Sequence, residues 1–449
     1  MAGAPPNPAG WLLPLGEAGA ADAGRTGPKA ATLARLRGAG LPIPDGFCVV
    51  ADAYRAHLSG AGLEPLARRV AHAREREAGR LALEVRLGLL RAPLPASLAR
   101  GLEAAYQRLC AGVGLPVAVR SSALNEDTAP TSYAGQLGTI LGVSNPDDLA
   151  TAVRSCWASL WTPGAIRYMS TYGVDPARTA VAVLVQRMVP ARVAGGALSR
   201  TPDNRLVVTA AWGLGPAVGQ GEVVPDRYVL RRREGPAVEL VEPGHKTRLM
   251  TGSGSAGPRW QAVPPDLVTA PALGEAEALA LARLVMTAER LLGEPLEIEW
   301  ALDDTGFQLI QARPLAVQRA REEDHPWAHH PGLTGQPAGV GWAMGPARVV
   351  RGEAELEHVR HGEVLVTSVP GPALAVVLQR VAGVVTELGG STSHLAALAR
   401  ERGIPAVLGV RDATRRILQG SLVVVDGHRG VVHPICPDDA RGGATREKA

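Results

Sequence analysis

Thr386-Glu-Leu-Gly-Gly-Ser-Thr-Ser-His394-Leu-Ala-Ala-Leu-Ala-Arg-Glu-Arg-Gly-Ile-Pro405 sets one histidine between a glycine pair and an alanine-rich run. Upstream, Val381-Ala-Gly-Val-Val385 reads as a buried strand; downstream, Leu395 to Arg402 has helical composition. His394 therefore falls in the first turn of a helix, where unbonded backbone N–H groups and the helix dipole favour an anion. Gly389 and Gly390 let the backbone come close to such an anion, and Ser391, Thr392 and Ser393 add hydroxyl donors. An imidazole placed there can accept a phosphoryl group and pass it on. The competing reading is a histidine that helps to cap the helix.

The pattern extends in both directions. Gly335-Gln-Pro-Ala-Gly-Val-Gly-Trp-Ala-Met-Gly-Pro-Ala-Arg-Val-Val350, Gly362-Glu-Val-Leu-Val-Thr367 and Gly420-Ser-Leu-Val-Val-Val-Asp-Gly-His-Arg-Gly-Val-Val432 supply an opening, a strand and a closing hairpin around the histidine segment. Together these stretches resemble the phosphoenolpyruvate-utilising swivelling domain of the phosphoenolpyruvate synthase, pyruvate phosphate dikinase and rifampin phosphotransferase families. The resemblance implies that His394 is the residue phosphorylated, in a small β/α domain over residues 335–436.

At 449 residues the chain has room for two or three domains. Its net charge of +4 comes from scattered arginines without a run of like charge, which argues against a nucleic-acid partner. Cys48, Cys110, Cys156 and Cys436 are far apart and form no CxxC pair, so neither a zinc site nor a disulfide framework is expected. No apolar run reaches the roughly 18 residues of a membrane span, and no signal peptide is legible. The expectation is a cytoplasmic protein with no membrane partner.

Residues 1–10 and the 437–449 tail carry no site. From Asp52 to Cys110 the Ala, Leu, Arg and Glu content has helical spacing, and its arginines read as solvated faces. Short β-branched runs such as Val181-Ala-Val-Leu-Val185 and Leu206-Val-Val-Thr-Ala210 follow, which predicts mixed sheets. Glu275 to Leu292 predicts a helix. Leu296-Glu-Ile-Glu-Trp-Ala-Leu302 and Phe307-Gln-Leu-Ile-Gln-Ala-Arg313 predict two strands joined by an Asp303-Asp-Thr-Gly306 turn. The polar, proline-marked segment 317–334 reads as an interdomain linker.

The hairpin places Glu297 with Glu299, and Gln311 with Arg313, at alternate positions, so each pair shares a sheet face. Carboxylates suit Mg²⁺ and arginine suits phosphate, which together fit a nucleoside triphosphate. A surface salt-bridge ladder would use the same residues. Gly27-Pro-Lys-Ala-Ala-Thr-Leu-Ala-Arg-Leu-Arg-Gly-Ala-Gly-Leu-Pro-Ile-Pro-Asp-Gly-Phe47 and Val117-Ala-Val-Arg-Ser-Ser-Ala-Leu-Asn-Glu-Asp-Thr-Ala-Pro-Thr-Ser-Tyr-Ala-Gly-Gln-Leu-Gly-Thr139 break the tie. They resemble the ATP-grasp domain of the same dikinase families, as does Val185-Gln-Arg-Met-Val189. The resemblance implies that Lys29 and Arg120 bind phosphate, that Gly135 and Thr139 belong to a loop over the phosphates, and that Gln186 contacts the adenine. It also implies that Glu299, Gln311 and Arg313 complete the pocket, with Glu297 and Glu299 on Mg²⁺.

Three positions depart from those families: Glu297 stands where aspartate is usual, Pro216 where glutamate is usual, and Thr201 where aspartate or asparagine is common. The GxxxxGK[ST] loop is absent, as the resemblance implies. The expected fold is α/β with mixed α+β character. It comprises an N-terminal ATP-grasp nucleotide-binding domain at 11–316 and, after the linker, a swivelling phosphohistidine domain at 335–436. The implied activity is an ATP-dependent phosphotransferase that forms phosphohistidine from ATP, releasing AMP and phosphate, and delivers the phosphoryl group to an unidentified acceptor. A barrel of roughly 250 residues does not fit between His394 and Ala449, so the acceptor is expected to be a small molecule or a separate polypeptide. One subunit of a split phosphoenolpyruvate synthase and a non-catalytic nucleotide-binding module are the alternatives.

Overall fold

The structure is a computed structural model that describes residues 10–112, 114–125, 137–171, 173–252, 257–317, 332–368 and 371–435. Gly135, residues 318–331 of the expected linker and the 437–449 tail lie outside the described residues. The chain packs as two compact units that do not follow sequence order. The first is Met1–Ala191 with Thr251–Arg259 and Ala301–Pro314, and the second is Arg192–Met250 with Trp260–Trp300 and Leu315–Ala449.

The first unit runs β1 (Leu12–Pro14), α1 (Ala23–Gly38), β2 (Gly46–Val49), α2 (Ala51–Gly60), α3 (Glu64–His72), α4 (Glu75–Arg91) and α5 (Ala96–Cys110). It continues with β3 (Val117–Ala123), β4 (Thr139–Val143), α6 (Pro146–Ser159), α7 (Pro163–Thr171) and β5 (Val181–Arg187). The strands lie in the order β1-β2-β5-β3-β4. Six consecutive residues of β5, from Val181 to Gln186, are buried, because helices pack on the sheet that flanks it and no polar alternation is needed. The expected helical layer is present as α2 to α5. In α4, Ala78, Leu81, Ala82, Val85 and Leu89 repeat at helical spacing and form its buried stripe. His57 of α2 is buried within this layer beside Trp157, its Nε2 3.0 Å from the Leu89 carbonyl, and burial pushes its pKa down.

The second unit runs β6 (Val193–Leu198), β7 (Arg205–Trp212), α8 (Pro216–Gly219), β8 (Asp226–Arg231), β9 (Ala237–Glu242), β10 (Arg248–Thr251) and β11 (Arg259–Ala262). Then come α9 (Glu275–Leu292) and β12 (Leu296–Asp303), whose last three residues return the chain to the first unit, where β13 (Gly306–Pro314) follows the predicted turn. Strands β12, β6, β7, β8 and β9 lie in that order. Helix α9 starts where Glu277 accepts a 2.9 Å hydrogen bond from the Gly274 N–H, and stops at Gly293 in the left-handed region. Its Glu289 accepts from Arg200 at 2.5 Å and from Arg232 at 2.8 Å.

The C-terminal part of this unit contains β14 (Leu333–Thr334), β15 (Gln336–Gly339), β16 (Trp342–Val350), β17 (Val364–Thr367) and β18 (Gly383–Thr386). After them come α10 (His394–Arg402), β19 (Ala406–Leu408), α11 (Ala413–Arg416), β20 (Leu422–Asp426) and β21 (Val431–Ile435). The strand order is β14-β21-β20-β16-β17-β18-β19-β15, with β16 to β19 parallel. Val364, Val366, Val385, Val407, Val423 and Val425 meet in one core. Helix α10 is the crossover between parallel β18 and β19, and that connection puts His394 at the start of the helix, after the loop that leaves a buried strand.

Candidate functional site

In the first unit the glycine of Gly27-Pro28-Lys29 is required by contact and by conformation. Gly27 has φ +72°, and a Cβ on it would stand 2.5 Å from the Ser122 carbonyl oxygen. The helical run proper starts after it, with Pro28 in its first turn. This close approach carries Lys29 to β3, where its Nζ donates to the Ser121 carbonyl at 3.0 Å. Arg120, 8% exposed on the same strand, donates to the Ile310 carbonyl at 2.8 Å and to Gln311 Oε1 at 2.7 Å.

Thr139 pairs directly with Arg120 across the β3–β4 ladder and is exposed. Gln186 pairs with Ala118, so Gln186 and Arg120 lie on one face of the sheet. Gln186 is 3% exposed, and neither of its amide atoms has a hydrogen-bond partner among the described residues. A buried amide with a donor and an acceptor unused suits a nucleobase edge. Lys29, Arg120, Thr139, Gln186 and Gln311 are thus brought together, and Arg313 follows on β13, half-buried.

In the second unit Ser393, not His394, caps α10: its hydroxyl accepts from the Ala396 N–H at 3.4 Å. That separates His394 from the capping role and leaves its imidazole half-buried in the first turn. The loop before it lies against the sheet of β6 and β7. Thr392 and Thr209 share a hydroxyl hydrogen bond, and a Cβ on Gly196 would stand 2.5 Å from the Thr392 side chain. Gly389 N–H donates to the Val223 carbonyl at 3.1 Å. Gln336 donates to the Pro225 carbonyl at 2.6 Å and accepts from the Ser391 N–H at 3.1 Å. His394 Nε2 comes within 3.8 Å of where a Gly219 Cβ would be.

Strand β12 borders the same sheet, tied to β6 by the Trp300 indole donating to the Gly196 carbonyl at 3.1 Å. Glu297 on it is 8% exposed and Glu299 is half-buried. Burial of Glu297 and Gln311 rules out the surface ladder. Glu297 Oε2 accepts from Arg400 Nη2 at 2.9 Å. Sequence reading missed Arg400, Gln336 and Thr209. Arg400 was legible only as part of the basic end of a helix, yet it is 8% exposed. Among the described residues no group of three or more His, Cys, Asp or Glu side chains gathers for a metal. Mg²⁺ does not demand one, since it is bound through one or two carboxylates with substrate phosphates and water.

The family described as "Pyruvate phosphate dikinase, AMP/ATP-binding domain" matches residues 23–330, and "PEP-utilising enzyme, mobile domain" matches residues 359–430. A probable phosphoenolpyruvate synthase of Methanothermobacter thermautotrophicus is 32% identical over 428 residues, covering 93% of this chain and 62% of the relative. The phosphoenolpyruvate synthases of Aeropyrum pernix and Pyrococcus furiosus are 32% and 30% identical, each over 91% of this chain and 56% of its own length. The chain therefore spans about three fifths of the length of these relatives. No helix among the described residues is long and apolar enough to cross a membrane.

Proposed function

This chain belongs to the family of the pyruvate phosphate dikinase AMP/ATP-binding domain, and from that premise we propose that it is an ATP-dependent phosphotransferase with a phosphohistidine at His394. The observation that carries the reading is the placement of His394. Ser393 rather than His394 caps α10, and the loop just before His394 packs through Thr392 against the sheet of β6 and β7 that also bears Glu299. Residues 11–316 are the proposed nucleotide-binding domain, 317–334 the linker and 335–436 the mobile carrier.

In this reading the Gln186 amide takes the adenine edge. Lys29, Arg120 and Arg313 neutralise the phosphates, with Thr139 and Gly135 in the loop over them. Glu299 would hold Mg²⁺, which would supply charge compensation to the triphosphate, and Gln311 holds Arg120 through its amide oxygen. The imidazole attacks the β-phosphorus: the N–P bond forms as the bond to the AMP oxygen breaks, and the γ-phosphoryl group leaves to water or to orthophosphate. The dipole of α10 then favours the negative charge of the phosphohistidine at its start. The acceptor is a small molecule or a site on a separate polypeptide.

The test is incubation of the full chain with Mg-ATP labelled in the β- or the γ-phosphoryl. Acid-labile, base-stable β-label on His394 with release of AMP supports the proposal, and the γ-label in orthophosphate or pyrophosphate identifies its acceptor. His394→Ala loses the protein label and keeps ATP binding. A wild-type protein that binds ATP without acquiring label is a nucleotide-binding module instead. Label from phosphoenolpyruvate only after a second chain is added points to a split synthase.

A further inference from the structure

We propose that the buried Arg400–Glu297 ion pair is the latch that seats His394 for loading, and that Glu297 serves Arg400 rather than the metal. The inference rests on the phosphohistidine reading above and adds a positioning role to it.

Arg400 holds the histidine segment at both ends. It lies within α10, six residues after His394, and its Nη1 donates at 2.6 Å to the carbonyl of Ser391, three residues before His394. A longer contact of 3.4 Å reaches the Ala338 carbonyl on β15. One guanidinium therefore spans the loop, the helix and the neighbouring strand. Its remaining arm, Nη2, leaves the carrier and meets Glu297 on β12.

Three further ties across this seat are neutral: Gly389 to Val223, Gln336 to Pro225, and Thr392 to Thr209. Arg400 and Glu297 add charge, with side chains only 9% and 10% exposed. A buried pair of this kind gains little net stability, because desolvation offsets the attraction, but it punishes any arrangement that leaves one charge buried without the other. That is the property a reversible seat needs. When the carrier leaves, both groups regain water, so release is not opposed strongly; when it returns, only the register that pairs them is tolerated.

A Glu297 carboxylate engaged with a guanidinium is poorly disposed toward a cation in the same arrangement. Glu299, on the same face of β12 and less buried, is left to the metal. Mg²⁺ bound mainly through phosphate oxygens and water does not require the second carboxylate.

The experiment compares the full-length wild type with Glu297→Gln, Arg400→Gln, the double variant and Glu299→Gln. Hydrogen exchange of residues 388–402 is measured without nucleotide, and the Mg²⁺ dependence of ATP binding is measured by calorimetry. Loading of His394 is followed in a single turnover. The latch predicts that Glu297→Gln speeds exchange in this segment and slows loading by roughly tenfold each, with half-saturating Mg²⁺ within about twofold of wild type. Arg400→Gln costs less on the Glu297→Gln background than on the wild type, because the ion-pair part of its effect is already gone and only its bonds to the Ser391 and Ala338 carbonyls are left to lose. Glu299→Gln instead raises the Mg²⁺ requirement.

If Glu297→Gln raises the Mg²⁺ requirement as Glu299→Gln does and leaves exchange of 388–402 unchanged, Glu297 is a metal ligand and the latch is wrong. A wild type that never acquires label overturns the phosphohistidine reading, while the exchange data still decide whether the pair seats the loop. Should Arg400→Gln be misfolded, Glu297→Gln, which keeps the side-chain volume, carries both measurements alone.

Discussion

Gln186 carries a buried donor and a buried acceptor that no described residue engages, and this makes opposite predictions for stability and for binding. An amide kept for folding would be hydrogen-bonded, because an unsatisfied buried polar group costs about 1–3 kcal/mol. Gln186→Leu should therefore raise the melting temperature of the ligand-free protein while weakening ATP binding by roughly tenfold or more, measured by scanning and titration calorimetry. A lower melting temperature with unchanged ATP affinity would assign the amide to the fold. Arg120→Ala and Glu299→Ala should each cut His394 loading by about 10²-fold or more, the first through lost phosphate charge and the second through lost metal alignment. At this scale the sequence was informative where a residue type announces its chemistry. Gln311 stood out by strand alternation and His394 by its glycine- and hydroxyl-rich approach, whereas Lys29 and Arg120 were singled out by the resemblance alone. Arg400 was not legible, because an arginine near a helix end ordinarily faces solvent, and only the packing of α10 against β15 and β12 buries it.

At the scale of elements, periodicity carried most of the information. The strand and helix on either side of His394, the β12–β13 turn and the α2–α5 layer all follow from apolar spacing and turn residues. The exposure of the hairpin did not follow, since alternation marks which residues share a face and says nothing of what covers it. Gly27 fixes how α1 meets β3. Gly27→Ala should weaken ATP binding and lower the melting temperature together, because a Cβ would overlap the Ser122 carbonyl at a left-handed φ and displace Lys29. ATP affinity equal to wild type would show that Lys29 does not depend on this approach. Glu289, which anchors α9, responds to pH with a definite sign. Burial alone would raise its pKa, but hydrogen bonds from Ser199, Arg232 and Arg200 outweigh it and hold the carboxyl below its ordinary 4.5. The stabilisation is complete above that ordinary value and is lost as pH falls through the lower folded value. Glu289→Gln should cost roughly 3 kcal/mol near neutral pH, and the gap should narrow as urea unfolding is followed below about pH 4. A constant gap down to about pH 2 would exclude the carboxylate as its source.

At the scale of the molecule, linear order gave the two family segments, but it could not give the packing. Residues 192–250 and 260–300 join the C-terminal part in one compact unit because distant segments meet through Gln336, Thr392 and Arg400, contacts that no local pattern announces. The seat they form has a consequence for transfer. A histidine held beside Gly219 under Thr392–Thr209 reaches an acceptor elsewhere only if these ties break, so fixing them should separate loading from departure. Thr209→Cys/Thr392→Cys replaces two hydroxyls in hydrogen-bond contact with two thiols that oxidation can join. Positions 209 and 392 are buried, like Cys48 and Cys156, so loss of two thiols relative to the parent protein, with its four cysteines, is confirmed before His394 is assayed. Oxidation should leave loading from Mg-ATP within a few-fold of the reduced protein. It should also slow diethyl pyrocarbonate modification of unphosphorylated His394 by roughly tenfold, with recovery on adding dithiothreitol, because modification of a half-buried imidazole then waits on a state that the cross-link depopulates. Equal modification of the oxidised and reduced forms would mean that His394 stays on its seat in both. The acceptor would then have to enter beside Gly219 and receive the phosphoryl group there.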